Sequence, residues 1–420
     1  MSLAASSPTP RPAGQKAGQT AGRAALALGT TLALLIVVAA FAFRLQFYRG
    51  ALGAGANPGF VDFDLFRMIG HLGLTGHIAD AYDAAKLGAL QKAAGGEAQN
   101  WAYPPPFDLV TLALAALSPA LGYALFIGGS GLAYLWVLWR LSGGRPGLAL
   151  IVALPALVVV VMGGQNGLLT GTLAGLFALL ALAGRRLAGL PLGLMVMKPH
   201  LGLGLGLVAL ARRRWGLLGL AFGVALAACA LATAVFGPGV WPAFLTGLHT
   251  TSATLKSDGF HLIRLISVFA SLRAAGLPVG LALAGQLGAA LIGAGVLLWA
   301  VRRRLGPRAE IGLALGVTLM MSPYGFDYDM PIFGVAIATL LPELARRIRR
   351  PEAAALLALG WIACGSSLGL ILSGLAQGRG LMQTEALVRA GQIPQLAGPA
   401  VLIAVLWAAW ILARAPEAGR

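Results

Sequence analysis

Long apolar runs separated by short polar or basic turns set the pattern of this chain. The first run, Ala24 to Phe43, matches the roughly 20 helical residues that cross the ~30 Å hydrocarbon layer of a bilayer. Further runs lie at 120–139, 147–162, 166–184, 187–197, 200–211, 216–236, 279–301, 309–321, 331–345, 353–374 and 396–413. Together they predict an all-α polytopic membrane protein of about twelve spans. Several are too short for a perpendicular crossing, which predicts broken helices lining a protein or water cavity. Residues 1–23, rich in Ser, Pro, Gly, Ala and Thr without an apolar period, read as a disordered cytoplasmic tail. Residues 105–118 are apolar but short and predict a helix in the outer interface or a re-entrant piece.

Composition sharpens this picture. Hydrophobic residues make up 58% of the 420 and charged residues 11%, well under the roughly 25% charged of a soluble domain. A water-soluble globule and a disordered chain are both excluded. The formal charge of +17 would suit nucleic acid, but so apolar a chain leaves no soluble basic face for a phosphate backbone. Topology accounts for it instead. Walking the spans from an inside N-terminus gathers Arg140, Arg145, Arg185, Arg186, Arg212 to Arg214, Arg302 to Arg304, Arg308, Arg346, Arg347, Arg349, Arg350 and Arg414 on the inner side. Cys229 and Cys364 lie far apart in apolar runs and read as packing residues.

The same walk leaves a long outer loop from Arg44 to about Leu121, a second from Gly237 to Pro278, and most of the acids outside. All five histidines, His71, His77, His200, His249 and His261, fall outside or at outer span ends. Polar groups recur at outer turns: Trp101-Ala102-Tyr103-Pro104, Gly164-Gln165-Asn166, Lys198-Pro199-His200 and Ser322-Pro323-Tyr324 with Asp327-Tyr328-Asp329. A lone Lys198 between two apolar halves is costly in lipid, so it should face a cavity or an anion. In the first loop, a helix over Val61–Arg67 puts Asp62, Phe66 and Ile69 on one face and Asp64, Arg67 and His71 on another. Asp64 has a ready ion-pair partner in Arg67. Asp62 has none, and is either an acid dipping into an outer crater or a helix N-cap.

In this order Asp62 with Phe63 and Phe66, Leu74-Thr75-Gly76-His77, Ala81-Tyr82-Asp83, Tyr103-Pro104-Pro105, Gly164-Gln165-Asn166, Lys198-Pro199-His200 and Ser322-Pro323-Tyr324 with Asp327-Tyr328-Asp329 resemble glycosyltransferase family 87. The succession covers residues 24–350, read as the catalytic region with 44–121 as its first periplasmic loop; 351–420 add C-terminal helices without a motif. The resemblance implies a GT-C-like bundle, a sugar donor held on a polyprenyl phosphate with mannose as the sugar, a lipid or glycan acceptor, and an acid of the first outer loop as general base. Carried over, that acid is Asp62, with Asp64 a competing carboxylate.

Transfer from a lipid phosphate needs a base for the acceptor proton, groups that stabilise the departing phosphate and an apolar groove for the tail. One base suffices for an inverting displacement when the leaving group needs no proton. Lys198, with His200 and Tyr324 as helpers, is the candidate phosphate contact; a snorkelling lysine is the plainer reading of Lys198. Gln165 and Asn166 either bond sugar hydroxyls or cap the following span. Tyr103 shapes its proline-rich loop or touches substrate. Asp327 and Asp329 either bind acceptor hydroxyls or a cation, or cap and pair at the start of the next span. His261 and Arg264 are i,i+3 neighbours within reach of a phosphate. No His or acid spacing compels a metal, so no cofactor is expected, and metal dependence stays open. The rival class is a lipid or solute transporter, which also uses broken helices, though the chain shows no internal repeat. The expected location is a bacterial-type plasma membrane with the site facing the periplasm.

Overall fold

A computed structural model describes residues 13–50, 59–257 and 261–415. The apolar runs fold as helices throughout. In chain order they are α1 (Ala13–Tyr48), α2 (Asp62–Leu74), α3 (Ala84–Ala93) and α4 (Pro105–Ala115), then α5 (Pro119–Leu141), α6 (Gly147–Gly163) and α7 (Gly167–Leu182). The broken pair α8 (Arg186–Met197) and α9 (Pro199–Ala211) follows. The rest are α10 (Trp215–Phe236), α11 (Val240–Lys256), α12 (Val268–Ala274), α13 (Val279–Arg302), α14 (Pro307–Thr318), α15 (Pro331–Leu344), α16 (Arg350–Ala376), α17 (Leu381–Arg389) and α18 (Ala397–Leu412). Helix α1 starts within the segment read as tail; residues 1–12 lie outside the described residues.

Among the described residues five helices are long and apolar enough to cross a membrane: Gly22–Tyr48 within α1, then α5, α10, α13 and α16. The expectation of twelve spans counted apolar runs, several of which form shorter helices that pack against their neighbours inside the bundle. The pair α8 and α9 shows why. At 1.5 Å per residue each arm is ~18–20 Å long, short of the bilayer core. Arg185 and Arg186 precede the first arm and Arg212 to Arg214 follow the second. The two arms leave and return to the same basic end, with Lys198-Pro199 at the break. Gly189 and Gly193 bring α8 against the backbone of α10, and Gly204 brings α9 against α14 at Ala314. Of the glycines in 201–206, Gly204 permits this close packing, whereas Gly206 faces open space.

Residues 105–115 form α4, an 11-residue helix packed along α2. The Gly70 surface of α2 abuts Thr111 and Ala115 so closely that a Cβ at Gly70 would collide with the Thr111 backbone. Aromatic rings of Phe66, Trp101, Tyr103 and Phe107 fill the space between first-loop elements, with Tyr103 stacked on Phe107 at 4.4 Å.

Polar groups segregate to two ends. At one, Arg212 pairs with Glu310, Arg308 donates to the carbonyls of Leu141 and Thr339, Arg347 pairs with Glu343, and Arg414 pairs with Glu352. Those are residues expected on the inner side. The first loop, the Gly164–Gly167 turn, the Lys198 break and the Ser322–Asp329 segment meet at the other.

Candidate functional site

Asp62 opens α2. The expected N-cap role falls to other groups: Val61 occupies the cap position, and Asp64, at the third helical residue, accepts from the Val61 amide at 3.0 Å. Asp64 also accepts from the Tyr48 hydroxyl at 3.2 Å. The expected Asp64–Arg67 ion pair does not form. Arg67 Nη1 donates instead to the carbonyls of Leu114 and Leu117 at 2.5 and 2.8 Å, because those carbonyls end α4 without helical partners of their own. Asp62 is thereby free of structural duty on its own helix. It is 9% exposed, and Arg264, Asp327 and Lys198 all act on its charge while the Gln165 side chain hydrogen-bonds it.

Those partners come from distant parts of the chain. Gln165 and Asn166 sit in the turn between α6 and α7, wedged between two other elements. Gly164 has φ of +64° and lies against Phe63, and a Cβ at Gly167 would collide with the Tyr328 carbonyl oxygen. Only glycine permits both approaches. Gln165 Oε1 accepts from the Asn166 amide at 3.1 Å and the Tyr103 hydroxyl at 3.4 Å, and the same side chain acts on the Asp62 carboxylate. Asn166 stands at the N-cap of α7 but its side chain makes no cap hydrogen bond; its Oδ1 is buried without a partner. The capping alternative for Asn166 is thus not realised.

Lys198 lies at the break between α8 and α9, 6% exposed. Its expected anion is Asp329, at 2.5 Å. The ammonium also sits over the Tyr328 ring at 4.3 Å and nears the Tyr103 ring at 5.7 Å. His200 Nε2 is buried and unpartnered, within the fields of Asp329 and Lys198. Asp329 also accepts from the Phe326 amide, so pairing and capping are both realised for it. Arg264 holds Asp327 through Nε and Nη2 at 3.1 and 3.0 Å, and its guanidinium lies 5.6 Å from the Tyr328 ring centroid. Asp62, Asp327 and Asp329 thus share one buried locale with two cations. Burial pushes the Asp62 carboxyl above the usual carboxylate range, against the opposing pull of Arg264 and of the Gln165 hydrogen bond.

Two expected members make other contacts. His261 approaches Glu97 of the first loop, with Nε2 4.0 Å from its carboxylate. Tyr324 packs on the satellite cluster of Ile263, Leu265 and Phe269. Among the described residues no group of three His, Cys, Asp or Glu is arranged to hold a metal ion.

The sequence reading missed what holds Arg264 in place. Glu385 of α17, Gln395 and Ser367 of α16 reach the site from a region without motifs. Ser367 Oγ donates to Asp327 at 2.6 Å. Asp108 of α4 was also overlooked. Fully buried, it accepts from the Trp101 indole at 3.0 Å, and the Tyr82 hydroxyl, with one proton to give, lies within hydrogen-bond distance of both the Asp108 carboxylate at 2.7 Å and the Tyr103 carbonyl at 2.9 Å. That network fixes Tyr103 over the site. Its sequence signal was an acid in the first turn of an apolar helix beside Tyr103-Pro104-Pro105.

No curated protein and no solved structure matches the chain. The model of one family, described as glycosyltransferase family 87, matches residues 101–323. The matched stretch holds Tyr103, Gln165, Asn166, Lys198, His200 and Arg264; Asp62, Asp327 and Asp329 flank it. Because the match spans more than half of the sequence, the chain belongs to glycosyltransferase family 87.

Proposed function

We propose that this glycosyltransferase moves a hexose, mannose by family resemblance, from a polyprenyl phosphate to an acceptor hydroxyl at the outer face of a plasma membrane, with inversion and with Asp62 as general base. One observation supports this above the rest: Asp62, Gln165, Lys198, Arg264, Asp327 and Asp329, drawn from five segments, converge at the end of the bundle opposite the arginine-rich end. A carboxylate held in a poorly solvated place is more basic than one in water, which suits proton removal from a hydroxyl. Asp327 and Asp329 are engaged by Arg264 and Lys198, leaving Asp62 as the one of these three acids with no cation bonded to it among the described residues.

The phosphate assignment shifts. Lys198 is held by Asp329 and enclosed by two tyrosine rings, so it organises the site. Arg264 has a side chain 26% exposed, and its bonds to Asp327 use Nε and Nη2 only. Its Nη1 is the group we assign to the donor phosphate, a charge-assisted N–H donor to a phosphate oxygen while the Nε and Nη2 fork stays on Asp327. Asn166 Oδ1 is an acceptor awaiting a donor, which a sugar hydroxyl provides and a phosphate cannot. A transporter reading gains no support from family membership.

The test is Asp62→Asn in membranes supplied with labelled polyprenyl-phosphate mannose. Loss of a general base lowers transfer by about 10²- to 10⁴-fold, with donor binding kept. Since burial raises the Asp62 pKa, its ionised form weakens the fold at any pH above that value, so the neutral amide is expected to leave thermal stability at pH 7 unchanged or higher. Undiminished transfer by a folded Asp62→Asn protein would remove the base assignment.

A further inference from the structure

Arg264 lies on a short turn, Leu262–Arg264, that continues into Leu265 and Ile266. This segment has little regular structure of its own. Its hydrogen bonds therefore go elsewhere. The Ile266 amide donates to the Gly325 carbonyl at 2.8 Å. Two side chains from beyond residue 380 hold the rest. Glu385 accepts from the Leu262 amide at 2.8 Å and the Ile263 amide at 3.0 Å. Gln395 Nε2 donates to the carbonyls of Leu262, Ile263 and Leu265 at 3.3, 3.2 and 2.8 Å, and its Oε1 accepts from the Ala397 amide at 2.8 Å. The backbone on both sides of Arg264 is thus gripped by one acceptor and one donor.

Both gripping residues are buried, Glu385 at 3% and Gln395 at 2% exposure. Arg389, one turn along α17, pairs with Glu385 at 3.0 Å. A third group from the same region, Ser367, holds the carboxylate that Arg264 binds. Burying a carboxylate and an amide is a poor way to gain stability alone, since apolar side chains of similar volume serve as well or better. Polar groups satisfied this fully fix a conformation instead.

We propose that Glu385 and Gln395 are positioning residues for Arg264, fixing the direction in which its guanidinium meets the donor phosphate, so that the C-terminal segment outside the family match belongs to the transfer machinery. This rests on the assignment of Arg264 to the phosphate. Neither residue touches substrate; both act through the turn.

A double-mutant cycle on the purified full chain tests it, with binding of a polyprenyl phosphate as the readout, which needs no acceptor. Arg264→Ala removes a charge-assisted contact and weakens binding on the order of tenfold or more. Gln395→Ala and Glu385→Gln each weaken it by about five- to tenfold in the otherwise native chain, and by less than about twofold when Arg264 is already Ala. Arg264→Lys keeps the charge but loses the fork, and Gln395→Ala is expected to add little to it. Equal losses in both backgrounds, or no loss in the native one, overturn the positioning role. Should Gln395→Ala not fold, the Glu385→Gln cycle is read in the same way. Unchanged binding by Arg264→Ala overturns the phosphate assignment and the proposal built on it; a loss with Arg264→Ala and additive second substitutions overturns the positioning role alone.

Discussion

Two aspartates two residues apart have different fates, and helix geometry separates them. Asp64 points to Tyr48 and back to the Val61 amide, so it closes the helix start. Asp62 points the other way, into a place where burial raises its pKa while Arg264 and Lys198 pull it down and Asp327 adds to the rise. The pH dependence follows in sign. A base works only when ionised, so activity is lost as pH falls through the raised Asp62 value, and that limb lies above the ordinary aspartate value of ~3.9. Measured as kcat/KM for the donor against pH, which reports the free enzyme, an acid limb at or below that value would contradict the burial of Asp62. The Asp62–Asp64 split was legible in part: the face assignment holds, but the Arg67 partner does not, since the end of α4 that draws it away is remote in sequence.

At the scale of elements, glycine decides where the site can assemble. The turn between α6 and α7 enters a slot between Phe63 and Tyr328, and Gly167 lies against the Tyr328 backbone, which cannot rotate aside as a side chain could. Gly167→Ala is therefore expected to push Asn166 and Tyr328 apart, displacing the ring that faces both Lys198 and Arg264. Transfer should fall by about 10²-fold for a displacement near 1 Å, and thermal stability should drop by about 1–3 kcal/mol. Initial rates and melting curves check both, and Gly206→Ala, at a glycine with open space, serves as the control. The broken pair α8 and α9 makes a related point. Its lysine needs an acid, and Asp329, 131 residues away, provides it. Sequence indicated that Lys198 required an anion without saying which, because the match depends on how α9, α14 and the Asp327–Asp329 turn stack.

For the whole molecule, the segregation of arginines at one end and the Asp62 cluster at the other predicts which side each faces. With Cys229 and Cys364 replaced by alanine, Ala94→Cys in the first loop should react with a membrane-impermeant maleimide added outside intact cells, and Arg145→Cys only after permeabilisation. The opposite pattern would reverse the orientation. The apolar runs and the basic turns by themselves determined a membrane-embedded helical protein and the ends to which its charges go, because hydrophobic length and charge bias are local properties that act on each segment separately. They also marked Lys198 as out of place in lipid, the Gln165-Asn166 turn as polar at the outer side, and Asp62 as an outer-loop acid without an ion-pair partner on its own face. Only the tertiary structure decided that Lys198 is held by Asp329, that Arg264 reaches Asp327 with one nitrogen to spare, and that Glu385 and Gln395 grip its turn. Those partners are 63 to 131 residues apart in the chain, and Glu385 and Gln395 lie in a segment without motifs. Which buried donor finds which acceptor is set by the packing of whole helices, a property no local pattern carries.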